Sequence, residues 1–409
     1  MLSILINAYA VAPNKGSEPG MGWNWIVNLS HYCELHIITE GEWQQEIEVA
    51  VALLPQKKNL HFYYNSLPET VRSMCWNQGD WRFYYYYQKW QKSTLEIARN
   101  IVEKKHIDVL HQLNMIGFRE PGYLWKLEGI PFIWGPTDAK EGFPVAYLDG
   151  AGLKIRLSVR VKNLITRLQL QYGNQVKNAI ERSSFIVSAS TDSVKTFKMY
   201  YNLNTVLINE TGCYVKDENF IKPKKAKETF DILWVGKFDF RKQLDLALKV
   251  IAKVADLPIR FHIAGGNSIE AQRYKIIAED LGINSLCIWH GIVPHQDIQD
   301  LMQNSDLFFF TSVAEGTPHV VLEAIGNGLP VLCFDCCGQG DSVTNDIGVK
   351  IKLSNINKSI ADFATKINYL HSNKQHLQQL SANCIAKQIE LSWDAKAKKM
   401  VSLYDSLMK

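Results

Sequence analysis

Short apolar runs alternate with helix-like segments along nearly all of the 409 residues, and this alternation constrains the fold more than any other feature. Apolar runs of about five residues read as strands buried on both faces, and the stretches between them are long enough to be crossover helices. Ser3–Tyr9, Glu34–Thr39, Leu60–Tyr64, Ile107–Gln112, Phe132–Trp134, Phe185–Ser190 and Val206–Ile208 read as the strands of one unit. Asp231–Val235, Ile259–Ala264, Leu286–Trp289, Leu307–Thr311 and Pro330–Phe334 read as those of a second. The pattern predicts an α/β chain with two Rossmann-like domains, each a parallel sheet covered by helices. The expected boundaries are 1–210 for the first domain, 211–228 for a linker, 229–390 for the second domain and 391–409 for a C-terminal helix. The linker is marked by Gly212 and the basic stretch Lys222-Pro-Lys-Lys-Ala-Lys227. In open α/β sheets ligands sit beyond the carboxyl ends of the strands, so two such domains define a cleft between them.

Composition narrows the classes further. Apolar content of 46% and charged content of 21% suit a globular chain, and a net charge of +4 does not argue for nucleic acid. No stretch approaches the ~20 apolar residues of a membrane span. Met1–Asn7 reads as a first strand rather than a signal peptide, which points to the cytoplasm. The eight cysteines read as buried thiols; Cys333, Cys336 and Cys337 cluster, but no second pair with zinc spacing accompanies them, so no metal centre is expected. Residues Ala151–Ile180 carry Lys154, Arg156, Arg160, Lys162, Arg167 and Lys177 and no acid, with Leu, Ile and Val interspersed. Such a segment can lie on the inner face of a membrane, or be a solvated helix face packed on its domain.

Four groups of residues carry candidate chemistry. Glu315-Gly316-Thr317-Pro318 follows a strand and leads into a helix that contains Glu323 and ends near Gly326 or Gly328. The turn offers backbone N–H groups at a helix N-terminus, and both acids can face one cleft. Gly236, Lys237, Arg241 and Lys242 stand between a strand and a helix that begins near Gln243, where basic groups would offset a diphosphate. Gly20 and Gly22 lie in the loop Ala12–Trp25 after the first strand, where glycine permits close backbone approach to a ligand. His111 ends the run Ile107–His111, and Thr137 and Asp138 follow Trp134-Gly-Pro.

The segment Glu315–Glu323 resembles the E-x7-E signature of family 4 retaining glycosyltransferases, which have the GT-B fold. Ser17-Glu-Pro-Gly20-Met-Gly22-Trp23 resembles a loop of one branch of these enzymes, and Leu391-Ser-Trp-Asp394 resembles the start of their last helix, which crosses back onto the first domain. The family usually has Gly-Arg and then Lys-Gly where this chain has Gly236-Lys237 and Lys242-Gln243. Lys supplies charge but not the bidentate fork of Arg, and Arg241 is the candidate to replace it. The segment Trp134–Asp138 resembles one that usually continues Gly-Gly-Gly. The resemblance implies a GT-B fold and a retaining, metal-independent transfer of a sugar from a nucleoside diphosphate sugar to a saccharide or lipid-linked saccharide hydroxyl. It implies that Glu315 holds the donor sugar, Glu323 the ribose, and Lys237, Lys242 and the turn Gly316–Thr317 the diphosphate. It places His111 near the transferred sugar, and Thr137 and Asp138 on the acceptor side. The alternatives are a nucleotide-sugar epimerase on the same fold and a non-catalytic nucleotide-sugar-binding protein.

Overall fold

In the computed structural model, residues 1–76, 82–149, 151–216 and 228–409 are described, and they form two compact units. Residues 77–81 and 150 lie outside the described residues, as does part of the expected linker, 217–227. Unit 1 comprises Met1–Glu141, Thr166–Thr211 and Trp393–Lys409; unit 2 comprises Gly142–Ile165 and Gly212–Ser392.

The first half of the chain runs β1 (Ser3–Ala8), α1 (Ser17–Leu29), β2 (Glu34–Thr39), α2 (Gln44–Ala52), β3 (Leu60–Tyr64), α3 (Glu69–Trp76), α4 (Arg82–Lys104), β4 (Val109–Asn114) and β5 (Phe132–Thr137). It continues through α5 (Leu153–Tyr172), α6 (Asn174–Arg182), β6 (Phe185–Ser188), α7 (Thr191–Tyr201) and β7 (Val206–Leu207). The second half runs β8 (Phe230–Val235), α8 (Leu244–Lys253), β9 (Ile259–Ala264), α9 (Ser268–Asp280), β10 (Cys287–Gly291), α10 (His295–Asn304), β11 (Leu307–Phe310), α11 (His319–Gly326) and β12 (Val331–Phe334). It ends with α12 (Cys337–Ser342), β13 (Gly348–Ile351), α13 (Ile356–Ser372), α14 (Lys374–Glu390) and α15 (Trp393–Ser406).

Every run expected as a strand is one. β13 is the addition, a short edge strand whose Gly348 and Lys350 hide its apolar signal. Unit 1 orders its strands β3-β2-β1-β4-β5-β6-β7, and unit 2 orders them β10-β9-β8-β11-β12-β13; every pairing is parallel. Central strands such as β1 and β11 are buried throughout, as helices on both faces require. All eight cysteines are free, and all but Cys287 are buried.

The C-terminal helix α15 belongs to unit 1. Trp393, Ala397, Met400 and Tyr404 repeat at helical spacing and join the cluster built on α1 and the sheet. Trp393 meets the Trp25 ring edge-on, and the Tyr32 hydroxyl donates to Asp394 at 2.5 Å. Deepest of these contacts, the Tyr404 hydroxyl lies 2.6 Å from His111 Nδ1, and His111 Nε2 lies 2.6 Å from the Gly135 carbonyl. A carbonyl only accepts, so Nε2 carries the proton and Nδ1 accepts from Tyr404. The imidazole is therefore neutral and fully buried, and burial pushes its pKa down to about 4.

The sequence reading assigns 142–165 to the first domain. In the structure Tyr147 carries this segment into unit 2: its buried ring packs on Phe334, and its hydroxyl meets Ser359 Oγ at 2.8 Å and the Ser354 N–H at 2.9 Å. The Tyr147 carbonyl accepts from Gln243 Nε2 at 2.8 Å, and the same amide donates to Phe240 O at 2.6 Å. Gln243 stands just before α8 with φ +53° and ψ +42°, a left-handed conformation that favours glycine. The glycine that the resemblance leads one to expect would fit that backbone, and here a glutamine accepts the strain and gains two amide hydrogen bonds.

Two predictions follow from these contacts. As pH falls, the unfolded chain protonates His111 near its ordinary 6.5 and the folded chain only near 4, so this contribution is present at neutral pH and lost on acidification. The stability of the wild type relative to His111→Gln should therefore fall by about 3 kcal/mol between pH 7 and pH 4 in urea titrations. Gln243→Ala should lose about 1–2 kcal/mol, because it keeps the strain and drops both bonds; Gln243→Gly should lose less, because it relieves the strain. The same titrations rank the two variants.

Candidate functional site

The strand order of unit 2 reverses between β8 and β11, which pair in parallel through Leu307 with Ile232 and Phe308 with Leu233. Crossovers leave these strands in opposite directions, so a crevice opens beyond their carboxyl ends. The loops that line it are 236–243 and 311–318. Two bonds tie them together, Val313 N–H to Arg241 O at 3.1 Å and Thr311 Oγ1 to Lys242 O at 2.7 Å, and Ser312 Oγ lies 3.1 Å from Arg241 O. Trp234 Nε1 donates to Thr311 Oγ1 at 3.0 Å, which fixes the hydroxyl for that role.

Lys242 and Glu315 meet across these loops. Nζ lies 2.5 Å from Oε1, with both side chains largely covered, and the ammonium also stands 5.2 Å from the Phe310 ring centre. Ser312 Oγ donates to the same carboxylate oxygen at 2.6 Å, and the Glu315 N–H points at Cys337 Sγ, 3.4 Å away. Gly316 O accepts from the Gly338 N–H at 2.9 Å. A Cβ on Gly338 would come within 2.5 Å of Thr317 Cα, so the approach of α12 to the Gly316–Thr317 turn needs glycine there. Pro318 directly precedes α11.

The remaining basic groups differ in employment. Lys237 is exposed, with no ion pair among the described residues. The Arg241 guanidinium is engaged by Asp239, with Nη2 to Oδ2 at 2.7 Å and Nε to Oδ1 at 3.2 Å. Burial would raise the Asp239 pKa, but the hydrogen bonds and charge of Arg241 outweigh it and hold the carboxyl below its usual range. The fork proposed to replace the family's Arg is thus already filled in this structure. Gly236 directly follows β8, and an added Cβ there would fall 3.0 Å from the Trp234 ring.

Glu323 belongs to a second hydrogen-bond group, on the second turn of α11. It accepts from Gln299 Nε2 at 3.3 Å and lies 3.4 Å from His295 Nε2. Gln299 Oε1 in turn accepts from Lys216 Nζ at 2.6 Å and Asn327 Nδ2 at 2.8 Å. Burial lowers the Lys216 pKa, and Glu323 opposes that shift. Burial likewise lowers the pKa of His319, one turn before Glu323.

In unit 1 the order reverses between β1 and β4, and three loops meet at Ile116. The Ile116 N–H donates to Glu18 Oε1 at 3.2 Å, and its carbonyl accepts from Asp138 N at 2.7 Å and Thr137 Oγ1 at 2.9 Å. Asp138 also pairs with Lys140 at 2.9 Å and accepts from Ser190 Oγ at 3.2 Å. Gly20 and Gly22 are required by chain packing: added Cβ atoms would fall 1.9 Å from Lys15 O and 2.3 Å from Ala10 O. Both nitrogens of His111 are used inside the unit, as described above.

Three contributors escape single-residue sequence reading. Ser312 and Gln299 are ordinary polar residues that matter only through the tertiary contacts just given. Glu18 stands in the first turn of α1, which also takes in Gly20 and Gly22 of the expected loop; burial pushes its pKa up to about 7 against the pull of the Ile116 N–H, and Oε2 is buried without a hydrogen-bond partner. A buried carboxyl between glycine-rich turns is the signal that would have found it. Away from both reversals, Glu34, His36 and His61 put potential ligand atoms within 4.8 Å of one another on β2 and β3, and this is the cluster able to hold a metal among the described residues.

Residues 215–387 match the family model described as Glycosyl transferases group 1. A lipopolysaccharide 1,6-galactosyltransferase of Salmonella typhimurium is 28% identical over 120 residues, 28% of this chain and 33% of that protein. An N,N'-diacetylbacillosaminyl-diphospho-undecaprenol alpha-1,3-N-acetylgalactosaminyltransferase of Campylobacter jejuni is 29% identical over 121 residues, 29% of this chain and 31% of that protein. The alignment thus spans about a third of these curated relatives. The apo structure of the lipopolysaccharide outer core galactosyltransferase WaaB superposes over 99% of both chains with a TM-score of 0.68 at 14% identity. Anabaena HepE with UDP superposes over 99% of this chain and 100% of its own with a TM-score of 0.60 at 14% identity. The chain accordingly has the GT-B fold, and within it residues 215–387 match the model for glycosyl transferases group 1.

Proposed function

We propose that the chain is a retaining, metal-independent glycosyltransferase that moves a sugar from a nucleoside diphosphate sugar to a saccharide or lipid-linked saccharide hydroxyl, in polysaccharide, lipopolysaccharide or glycolipid synthesis. It would work in the cytoplasm, against a membrane surface through 151–180. The observation that carries the reading is the Glu315 carboxylate, held by Lys242 and Ser312 at the strand-order reversal of unit 2. An ionised carboxylate only accepts hydrogen bonds, and sugar hydroxyls donate them. Lys242 beside it, exposed Lys237, and the Gly316–Thr317 turn leading into α11 are the groups to offset a departing diphosphate. Preorganised charge of this kind is often the largest catalytic contribution. Glu323, braced by Gln299, is the group for the ribose. In unit 1, Glu18 has a buried oxygen suited to an acceptor hydroxyl, and Thr137 and Asp138 flank it through Ile116. The relatives named above are a lipopolysaccharide galactosyltransferase and an undecaprenol-linked N-acetylgalactosaminyltransferase, which supports a saccharide or lipid-linked acceptor.

A non-catalytic donor-binding protein is the second reading. Lys237 in the place of arginine, with the Arg241 fork filled by Asp239, favours it. Binding and turnover separate the two.

The melting temperature, measured with EDTA against a panel of nucleoside diphosphates and their sugars, should rise for one base. At a hundredfold excess over Kd the gain is about 2.7 kcal/mol. Glu323→Ala and Lys242→Ala should abolish the shift. Glu315→Gln should keep the diphosphate shift and lose transfer by about a hundredfold or more. NMR of the product should show the donor's anomeric configuration, and transfer should persist in EDTA. No shift with any diphosphate would overturn the donor site, and a normal shift without transfer would select the non-catalytic reading.

A further inference from the structure

Helix α5 carries apolar residues on its outer side as well as on the side that rests on the protein. Val159, Thr166 and Leu170 are buried, and Arg156 and Asn163 are half-buried; these five recur every three or four residues and form the face on which the helix rests. Val159 packs with Leu148, Ala151 and Phe240 in unit 2, and Leu170 joins the core of unit 1. Arg156 is tied down by the carbonyls of Leu148, Asp149 and Ala151. An ordinary surface helix would be polar on its other side. Here Leu153, Leu157, Val161, Leu164, Leu168 and Tyr172 recur at the same spacing and are all exposed, Leu153 at 82% and Leu157 at 66%. At about 100° per residue, this second stripe lies opposite the buried one.

Charge flanks the exposed stripe. Arg160 and Arg167 stand along one border, and Lys154 and Lys162 along the other. Arg167 lies 3.6 Å from Glu141 but stays well exposed. No acid occurs from Ala151 to Ile180. The helix is too charged to cross a bilayer, since no described helix is long and apolar enough. A narrow apolar stripe bordered by cations suits a helix lying in the plane of a headgroup layer. A second copy of the chain fits poorly, because pairing α5 with itself would set cations against cations with no acid to offset them.

We propose that α5 is the membrane-docking surface of this protein, and that it seats its exposed leucine stripe in a bilayer bearing anionic headgroups. The proposal deepens the membrane contact of the proposed function but needs neither donor nor acceptor. Leu157, Leu164 and Leu168 enter the interface, Arg160 and Lys162 meet the headgroups, and Tyr172 sits at the interfacial level near the helix end.

The test is sedimentation of the full chain with phosphatidylcholine vesicles, with and without phosphatidylglycerol, at low and high salt. Anionic vesicles should carry the protein down and neutral ones should not, and salt should weaken the capture. The triple variant Leu157→Ser, Leu164→Ser, Leu168→Ser and the double variant Arg160→Glu, Lys162→Glu should each reduce partitioning by about tenfold or more. All five residues are exposed, so melting temperatures and any donor-induced shift should match the wild type. Wild-type protein that ignores anionic vesicles, or a triple variant that partitions unchanged, would overturn the proposal. So would sedimentation velocity showing a dimer that the triple variant breaks, with no lipid capture. A lost donor shift with intact vesicle binding would strike the transferase reading alone.

Discussion

The parallel pairing of β8 with β11 is the constraint on which the candidate chemistry depends. These strands are distant in sequence and lie side by side because the strand order reverses between them. Their register aligns two loops that neither segment could position alone. A short relay of hydrogen bonds, from the Trp234 indole through Thr311 to the Lys242 carbonyl, then converts strand pairing into a fixed lysine. Unit 1 repeats the device with a different junction: there the peptide of Ile116 gathers the loops after β1, β4 and β5.

The Lys242–Glu315 pair has a resting role of its own. Each group is mostly covered, so either charge alone would be costly, and together they neutralise. An anionic ligand would draw on the lysine while hydroxyl donors satisfied the carboxylate. Glu323, in a separate group with Gln299 and Lys216, can answer a different part of the same ligand.

Much of this was legible in the sequence, for a physical reason. Strands buried on both faces must be continuous apolar runs, so Leu307–Phe310 or Ile4–Ile6 announce themselves, and β13 does not because it is an edge carrying Lys350. The acids and bases of 237–242 and 315–323 were visible as charges at strand ends. Their bonding was not: that Asp239 fills the Arg241 fork, or that Ser312 shares the Glu315 oxygen, depends on loop geometry. Gln243 was visible as a departure from the expected glycine, but its positive φ and its hold on Tyr147 were not. His111 was legible as a polar group in a strand, and its partner Tyr404 comes from the far end of the chain.

That last contact bears on how the protein is made. Unit 1 is discontinuous, and Trp393, Ala397, Met400 and Tyr404 fill part of its core only after all of unit 2 has been synthesised. During translation the first unit must wait with an apolar groove along α1 and with His111 Nδ1 unpaired. Because domains emerge in order from the ribosome, exposed surface of this kind makes the nascent chain prone to aggregation and a natural client for chaperones. The core of unit 1 is therefore complete only once Trp393, Ala397, Met400 and Tyr404 have joined it.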